Sequence, residues 1–417
     1  MVTDFVSRLQ VGPILSALKR HKAGTLLIIL QISLTFAIIC NAFFIVEQRI
    51  DRMSRPTGMI ETDMLTLQYR WAGVDASLIP SLTKADLRAL RELPGVEDAT
   101  QAGSYPLSGH SSTEGIRIDP GAEARIALAA EYFTDEHALA TMGARLIAGR
   151  NFRKDEVAFM DPSKITSPAQ VIITKALADK VYPDGSALGK PIYVGNSHPS
   201  PSTVIGIVER LQAPSPTASF SDDAILVPQL LSEGSGNYLV RSQPGQLAGL
   251  IREAPAALTR LDNMRVFPPG EGIRTFEAVR AQAYKVDRGM AVLMTSICGL
   301  LLVTTAAGIV GLSSFWVSQR HQQIGMRRAL GATRRDILHY FLTENLLIAS
   351  GGIGLGIVLA LSLNLWMVVH FEMHTLPVKY VVLGVIVMLA LGQGAVLTPA
   401  LRASRTSPIE AIRHTRN

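Results

Sequence analysis

Four stretches of this chain run without a single charged side chain: Thr25 to Val46, Gly289 to Gln319, Asn345 to Val369 and Tyr380 to Leu401, of 22, 31, 25 and 22 residues. Each reaches the roughly 20 residues that carry an α-helix across a bilayer. Backbone amides find no water inside hydrocarbon, so such segments insert as helices whose hydrogen bonds are internal. Helices buried in a soluble core are seldom charge-free for so long, and 48% hydrophobic against 18% charged residues over 417 positions is apolar for a soluble chain. Four membrane spans are expected. The first follows Lys19, Arg20 and Lys22 as a secretory signal would. Its apolar core, however, exceeds the roughly 7–15 residues of a signal peptide and no small-residue cleavage site follows, so it should persist as an anchor.

Positive charge orients the spans. Arg8, Lys19, Arg20 and Lys22 precede the first; Arg320, Arg327, Arg328, Arg334 and Arg335 lie between the second and third; Arg402, Arg405, Arg413 and Arg416 follow the fourth. Only Asp4, Asp336 and Glu410 oppose them, which assigns these three faces to the cytoplasm. From Glu47 to Arg288 the balance reverses to 26 basic and 29 acidic residues, which assigns that insertion to the far side. The formal net charge of +6 is therefore a signal of topology and gives no reason to invoke nucleic acid.

The cytoplasmic pieces 1–24, 318–336 and 402–417 are too short to hold a catalytic domain. The insertion of about 240 residues is long enough for one or two compact subdomains, and it reads as mixed α and β. Thr83 and Asp86 stand at capping-box spacing before Leu87, Leu90 and Leu93, and Pro94-Gly95 closes that short helix. A β-branched run from Val171 to Thr174, a brief helix and strand-like runs around Ile192 and from Val204 to Val208 give a β-α-β-β order. Leu211 to Asp223, rich in Ser, Pro and Ala, reads as a loop or subdomain seam. From Thr275 helical spacing resumes without proline and predicts a stalk that flows directly into the second span.

Constellations that carry chemistry are sparse. His110, His137 and His198 are far apart and lack metal-ligand spacing. Asp135-Glu136-His137 reads as a solvated helix face near the start of a helix, in preference to an acid–base pair. Cys40 and Cys298 both sit in spans, as small apolar residues. The stretch DGSALGKP resembles a phosphate loop, but Asp184 stands at the first glycine position and Pro191 where magnesium needs a hydroxyl, so it reads as a turn into the strand at Ile192. No catalytic residue, metal site or cofactor is assigned.

The arginine-rich strip between the second and third spans is more informative. Gln319 to Leu330 has no breaker except Gly325, Met326 is spaced to pack with Ala329 and Leu330, and Gly331 is a natural stop. A short amphipathic helix at the membrane surface is expected. Thr333 and Asp336 form a second capping-box pair, which starts a helix carrying Ile337, Leu338 and Phe341 into the third span. The result is a rigid helix-turn-helix elbow. Charge alone does not decide between a lipid-facing loop and an element docked in a groove of a cytoplasmic partner.

QQIGMRRALGATRRDILHYFLTENLLIASGGIGLGI resembles the signature of MacB/FtsX-type ABC transporter permeases, in which E-I-G-x-x-R-A-x-G-A precedes a helix bearing a glutamate and then a glycine-rich span. Ile324, Gly325, Arg328, Ala329, Gly331, Ala332 and Glu344 match; Gln323 stands where the family usually has Glu. TPALRASRTSPIEAIRH resembles the family's closing motif, and Ser407 as cap, Pro408 at the first helical position and Glu410 two residues on make a strong helix start. LRELPGVEDA, EYFTDEHALATMGARLIAGRNF, QVIITKALADKVYPDGSALGKPI and TVIGIV are similar to the MacB-like periplasmic core domain.

The resemblance implies a membrane protein of the bacterial inner membrane: four transmembrane α-helices with a large α+β extracytoplasmic domain inserted between helices 1 and 2, and no fused ATPase domain. The expected order is a cytoplasmic segment 1–24, helix 1 at 25–46, a periplasmic MacB-like domain at 47–274, and stalk plus helix 2 at 275–317. A cytoplasmic coupling elbow at 318–336, helix 3 at 337–369, a periplasmic loop at 370–379, helix 4 at 380–401 and a cytoplasmic tail at 402–417 complete it. Such a subunit is non-catalytic, binds no cofactor of its own, dimerises with itself or a sister permease, and is driven by a separate cytoplasmic ABC ATPase that holds the ATP. Coupling to that ATPase falls to Gln323, Ile324, Gly325, Met326, Arg327, Arg328, Ala329, Leu330, Gly331, Ala332 and Thr333. Gln323 in place of Glu makes a heterodimer, with the missing charge on the sister subunit, an open alternative. Glu344, Ser350, Gly352, Gly354 and Gly356 are expected to pack between transmembrane helices, the small residues permitting close contact equally against the second span or across a dimer. Gln31, Asn41, Asn364 and Gln393 are expected to form interhelical hydrogen bonds. The implied mechanism is mechanotransmission, serving efflux through a periplasmic adaptor and outer-membrane channel. The alternative is an FtsX-like regulator of cell-wall hydrolases or a lipoprotein-release permease; the size of the insertion favours efflux over hydrolase regulation.

Overall fold

The computed structural model describes residues 22–109, 112–119, 125–160, 167–195, 200–371 and 374–404. It forms two compact units, one from the chain before Ser54 and after Val286, the other Ser54–Val286. The helices are α1 (Lys22–Ser54), α2 (Ile79–Arg91), α3 (Ala138–Met142), α4 (Lys175–Val181), α5 (Leu247–Leu261), α6 (Phe276–Ala283), α7 (Lys285–Gln319), α8 (His321–Ala329), α9 (Arg334–Phe371) and α10 (Val378–Ser404). Among these α1, α7, α9 and α10 are long and apolar enough to cross a membrane, and they contain the four charge-free runs.

Within the helical unit α1 is central: over half of its apolar stretch is buried, against about a sixth of that of α7. It runs antiparallel to α7, where Thr35 and Thr305 share a hydroxyl hydrogen bond of 2.8 Å and Gln31 Nε2 donates to the Thr304 carbonyl at 3.2 Å. It runs parallel to α9, where Asn41 Nδ2 donates to the Ala360 carbonyl at 3.2 Å. Against α10 it is antiparallel again, with Phe44 and Tyr380 rings 5.3 Å apart and Lys379 Nζ 2.9 Å from Glu47.

Two of the four small residues of the third span serve a contact with the first span. Gly352 and Gly356 let α9 approach the first span: a Cβ on them would come within 2.7 Å of Ile32 and 2.9 Å of Phe36. Ser350 and Gly354 are exposed, and a Cβ at Gly354 would meet nothing within 4 Å. Of the intramembrane polar residues, Gln31 and Asn41 bridge helices as expected. Asn364 instead accepts from the Leu376 amide at 2.8 Å, tying down the turn before α10, and Gln393 Nε2 has no hydrogen-bond partner among the described residues.

The inserted unit is α+β. Strands Met64–Trp71, Val96–Ala102, Ser235–Ser242, Arg265–Val266 and Ile273–Thr275 make an antiparallel five-stranded sheet. Alternate residues Leu65, Leu67 and Tyr69 pack with Leu87 and Leu90 of α2 and Leu250 and Leu258 of α5, the period-2 and period-3.6 faces that the sequence pattern supplies. A seven-stranded mixed sheet holds the β-α-β-β segment as Gln170–Thr174, α4, Pro191–Val194 and Ser202–Val208. Its apolar face, including Val171, Ile173 and Ile225, is covered by Leu177 and Val181 of α4. Residues 211–223 carry neither helix nor strand, and 184–190 form the turn into the strand at Pro191.

Three local expectations are corrected. Thr83 and Asp86 do not cap α2, which begins at Ile79 with proline in its first turn; both are buried in its interior. An earlier cap explains the displacement, because Asp75 accepts from the Ser77 amide at 2.8 Å and a 3-10 turn leads on into α2. Asp135 is not on a solvated face. It is 3% exposed and accepts from Thr100 Oγ1 at 2.6 Å, Arg91 Nη2 at 2.9 Å and the His137 amide at 3.0 Å. Burial nonetheless pushes its carboxyl above the usual carboxylate range, with these partners opposing. His137 lies 3.0 Å from Asp98; His110 and His198 fall outside the described residues.

The stalk, finally, is not one helix. α6 stops at Ala283, Tyr284 takes φ −100° and ψ 10°, and α7 starts at Lys285. Tyr284 is buried and its hydroxyl accepts from Gln212 Nε2 at 3.0 Å, so satisfying this aromatic side chain within the inserted unit interrupts the helical run.

Candidate functional site

The arginine strip forms the elbow in the order expected. α8 ends at Ala329, the Ala332 amide donates back to the Arg327 carbonyl at 3.1 Å, and Gly331 sits at φ +100°. Only a residue without Cβ adopts that angle cheaply, which is why the turn can reverse in so few residues. The capping box forms: Thr333 N donates to Asp336 Oδ2 at 2.9 Å and Asp336 N to Thr333 Oγ1 at 3.3 Å. Ala332 is half-buried beside it, and Thr333 is exposed.

Ile324 sets the inner face of the elbow. Ile324 is the buried anchor, 5% exposed, in one core with Ile337 and Phe341 of α9, and Gly325 is buried beside it. Met326 and Leu330, expected to pack with Ala329 as the apolar side of an amphipathic helix, are 65% and 83% exposed, and Gln323 and Ala329 are exposed too. The physical reason lies in the spacing: once Ile324 points inward, residues two and six positions further turn by about 200° and 600°, away from the bundle.

The arginines divide in role. Arg320, in the joint between α7 and α8, places Nη1 3.0 Å from both carboxylate oxygens of Glu344, with side-chain exposures of 12% and 4%. Arg327 lies over the Tyr340 ring at 5.1 Å. Arg334 and Arg335 are exposed, while the side chain of Arg328 is outside the described structure. Glu344 is thus more than a packing residue. It ties the joint between α7 and α8 to α9. Sequence reading missed this pair, although a lone glutamate at the edge of an apolar run requires a cation nearby. Ser407, Pro408 and Glu410 lie outside the described residues.

Comparison with known proteins finds two family models along the chain. The MacB-like periplasmic core domain matches residues 25–258 and the FtsX-like permease C-terminal domain matches residues 295–408. The macrolide export ATP-binding/permease protein MacB of Bartonella henselae is 27% identical over 344 residues, covering 81% of this chain and 49% of that protein. An uncharacterized ABC transporter permease of Bacillus subtilis, YvrN, is 26% identical over 255 residues, covering 58% of this chain and 62% of its own. This chain thus spans roughly half to three-fifths of the length of these relatives. The periplasmic region of MacB from Actinobacillus actinomycetemcomitans aligns at 16% identity and a TM-score of 0.34, over 56% of this chain and 97% of that one.

Proposed function

Belonging as it does to the MacB/FtsX-type family of ABC transporter permeases, this chain is, we propose, a non-catalytic permease subunit that converts ATP hydrolysis in a separate cytoplasmic subunit into movement of its inserted domain. The elbow faces the cytoplasm and the inserted domain the periplasm, an orientation supported by the clustering of basic residues on the short loops. Movement passes from α8 through the Arg320–Glu344 joint to α7, and along α7 to the inserted domain. Substrate leaves from the periplasmic side through an adaptor and outer-membrane channel, without crossing the bilayer through this subunit. Regulation of a cell-wall hydrolase and lipoprotein release remain the competing outcomes, and the outer-side protein recovered with the chain separates them.

The observation that carries this reading is the outward apolar strip of Met326, Ala329 and Leu330 on an elbow that Ile324, Gly331 and the Thr333–Asp336 box hold rigid. Apolar side chains held out of a bundle on a short charged loop fit a groove in a partner. Replacing both Met326 and Leu330 by Glu should reduce recovery of the ATPase with the tagged full-length chain by roughly tenfold or more, as expected for anchor residues. Because both side chains are exposed, the melting temperature in detergent should stay within about 2 °C of the parent. Undiminished recovery would remove the basis for the proposal.

A further inference from the structure

The chain passes between its two units twice, after α1 and before α7, and within the helical unit those two helix ends are joined by a three-residue ion cluster. Asp287, in the first turn of α7, is 3% exposed and receives Arg49 and Arg52 from the last turns of α1; Arg52 Nη1 lies 3.2 Å away and Arg49 is closer. The spacing puts both arginines on one face of α1, three residues apart, so one carboxylate bridges them. Further along the same pair of helices the contacts are the Thr35–Thr305 hydroxyls, Gln31 against Thr304 and Gly308, and Gly24 against Trp316. α1 and α7 are thus matched in register from the cluster to the opposite end, while most of the apolar run of α7 is exposed among the described residues.

A buried ion pair adds little net stability compared with apolar residues of the same shape, but it fixes register because any slide leaves a desolvated charge alone. We propose that Asp287, held by Arg49 and Arg52, is a positioning residue for transmission: it locks the two crossings together so that movement of α7 enters the inserted domain through both. Without the lock, α7 can slip along α1 and movement at the elbow is dissipated before it reaches the domain. This inference rests on the coupling reading above.

The test uses the full chain in nanodiscs with the ATPase recovered with it. Two spin-label distances are followed with and without ATP: from Gln322, exposed on α8 and outside the proposed docking strip, to Val382, which reports the elbow, and from Leu261 to Val382, which reports the domain. In the parent background both distances change. In Asp287→Asn the elbow change is retained, the domain change falls roughly fivefold, and the exchange Arg49→Asp with Asp287→Arg restores it. Should Asp287→Asn fail to fold, Arg52→Gln, which keeps Arg49 on the carboxylate, serves the same comparison and reduces the domain change by about half. A full domain change in the folded neutralised variant overturns the lock while leaving coupling intact. Absence of any elbow change in the parent overturns the coupling reading itself, and the lock with it.

Discussion

Glu344→Ala should destabilise the helical unit by about 3–5 kcal/mol, because it strands the Arg320 guanidinium in a bundle where that side chain is only 12% exposed. Desolvating an unpaired charge, and not the loss of attraction, is the main cost. The double replacement Arg320→Met with Glu344→Met should recover most of that stability, since two apolar residues of similar volume leave no charge to satisfy. Thermal unfolding of the full chain in one detergent, run as a double-mutant cycle, measures this directly. A single-variant cost below about 1 kcal/mol would mean that water reaches Arg320 and that the joint is not closed. The same cycle separates stability from transmission, for the Met pair should fold yet lose the charge that holds α7 to α9.

Asp86→Ala is expected to be comparably damaging to the inserted unit, at about 3–5 kcal/mol. Asp86 and Arg265 pair with side-chain exposures of 2% and 0%, and the Tyr238 hydroxyl donates to the same carboxylate at 2.7 Å. Arg265 also donates to the Leu258 carbonyl at 2.6 Å and stacks over Trp71 at 4.4 Å. One carboxylate thus ties α2 to two strands of the five-stranded sheet and, through Arg265, to α5. Its removal leaves a buried cation and a buried phenol without their shared acceptor. Tyr238→Phe, which deletes one hydrogen bond and keeps the ring, should cost only about 1 kcal/mol. If Asp86→Ala and Tyr238→Phe prove equal, the ion pair is not the organising contact of this core.

What could be read in the sequence follows from how local each signal is. The spans were legible because absence of charge over 20 or more residues has one physical solution in lipid. The elbow was legible because Gly331, Thr333 and Asp336 act on their own backbone within a few residues. The β-α-β-β order and the 211–223 loop were legible for the same reason.

Facing and partnership are nonlocal, and there a local pattern does not suffice. Met326 and Ile324 are both apolar, and only contact with Ile337 and Phe341 selects which is inside. Gly352 and Gly356 announce a close approach, but their partner, Ile32 and Phe36 of α1, lies more than 300 residues away. Thr83 and Asp86 have the spacing of a cap, yet Asp86 is drawn inward by Arg265, 179 residues on. The interruption at Tyr284 likewise depends on Gln212. Arg320 and Glu344 were each visible, 24 residues apart, but their pairing required knowing that the elbow folds back.

The central claim is that the elbow is gripped by an ATP-hydrolysing partner in the cytoplasm. Its most direct measurement is site-specific cross-linking from Leu330→Cys in the full-length chain, in membranes of known sidedness, with the native Cys40 and Cys298 buried. The account predicts that the introduced thiol escapes impermeant reagents in intact cells, reacts in inverted vesicles, and cross-links to the ATPase with a yield that changes when ATP is added. Labelling from the outside of intact cells, or an exposed cytoplasmic thiol that never cross-links to the ATPase, would contradict it.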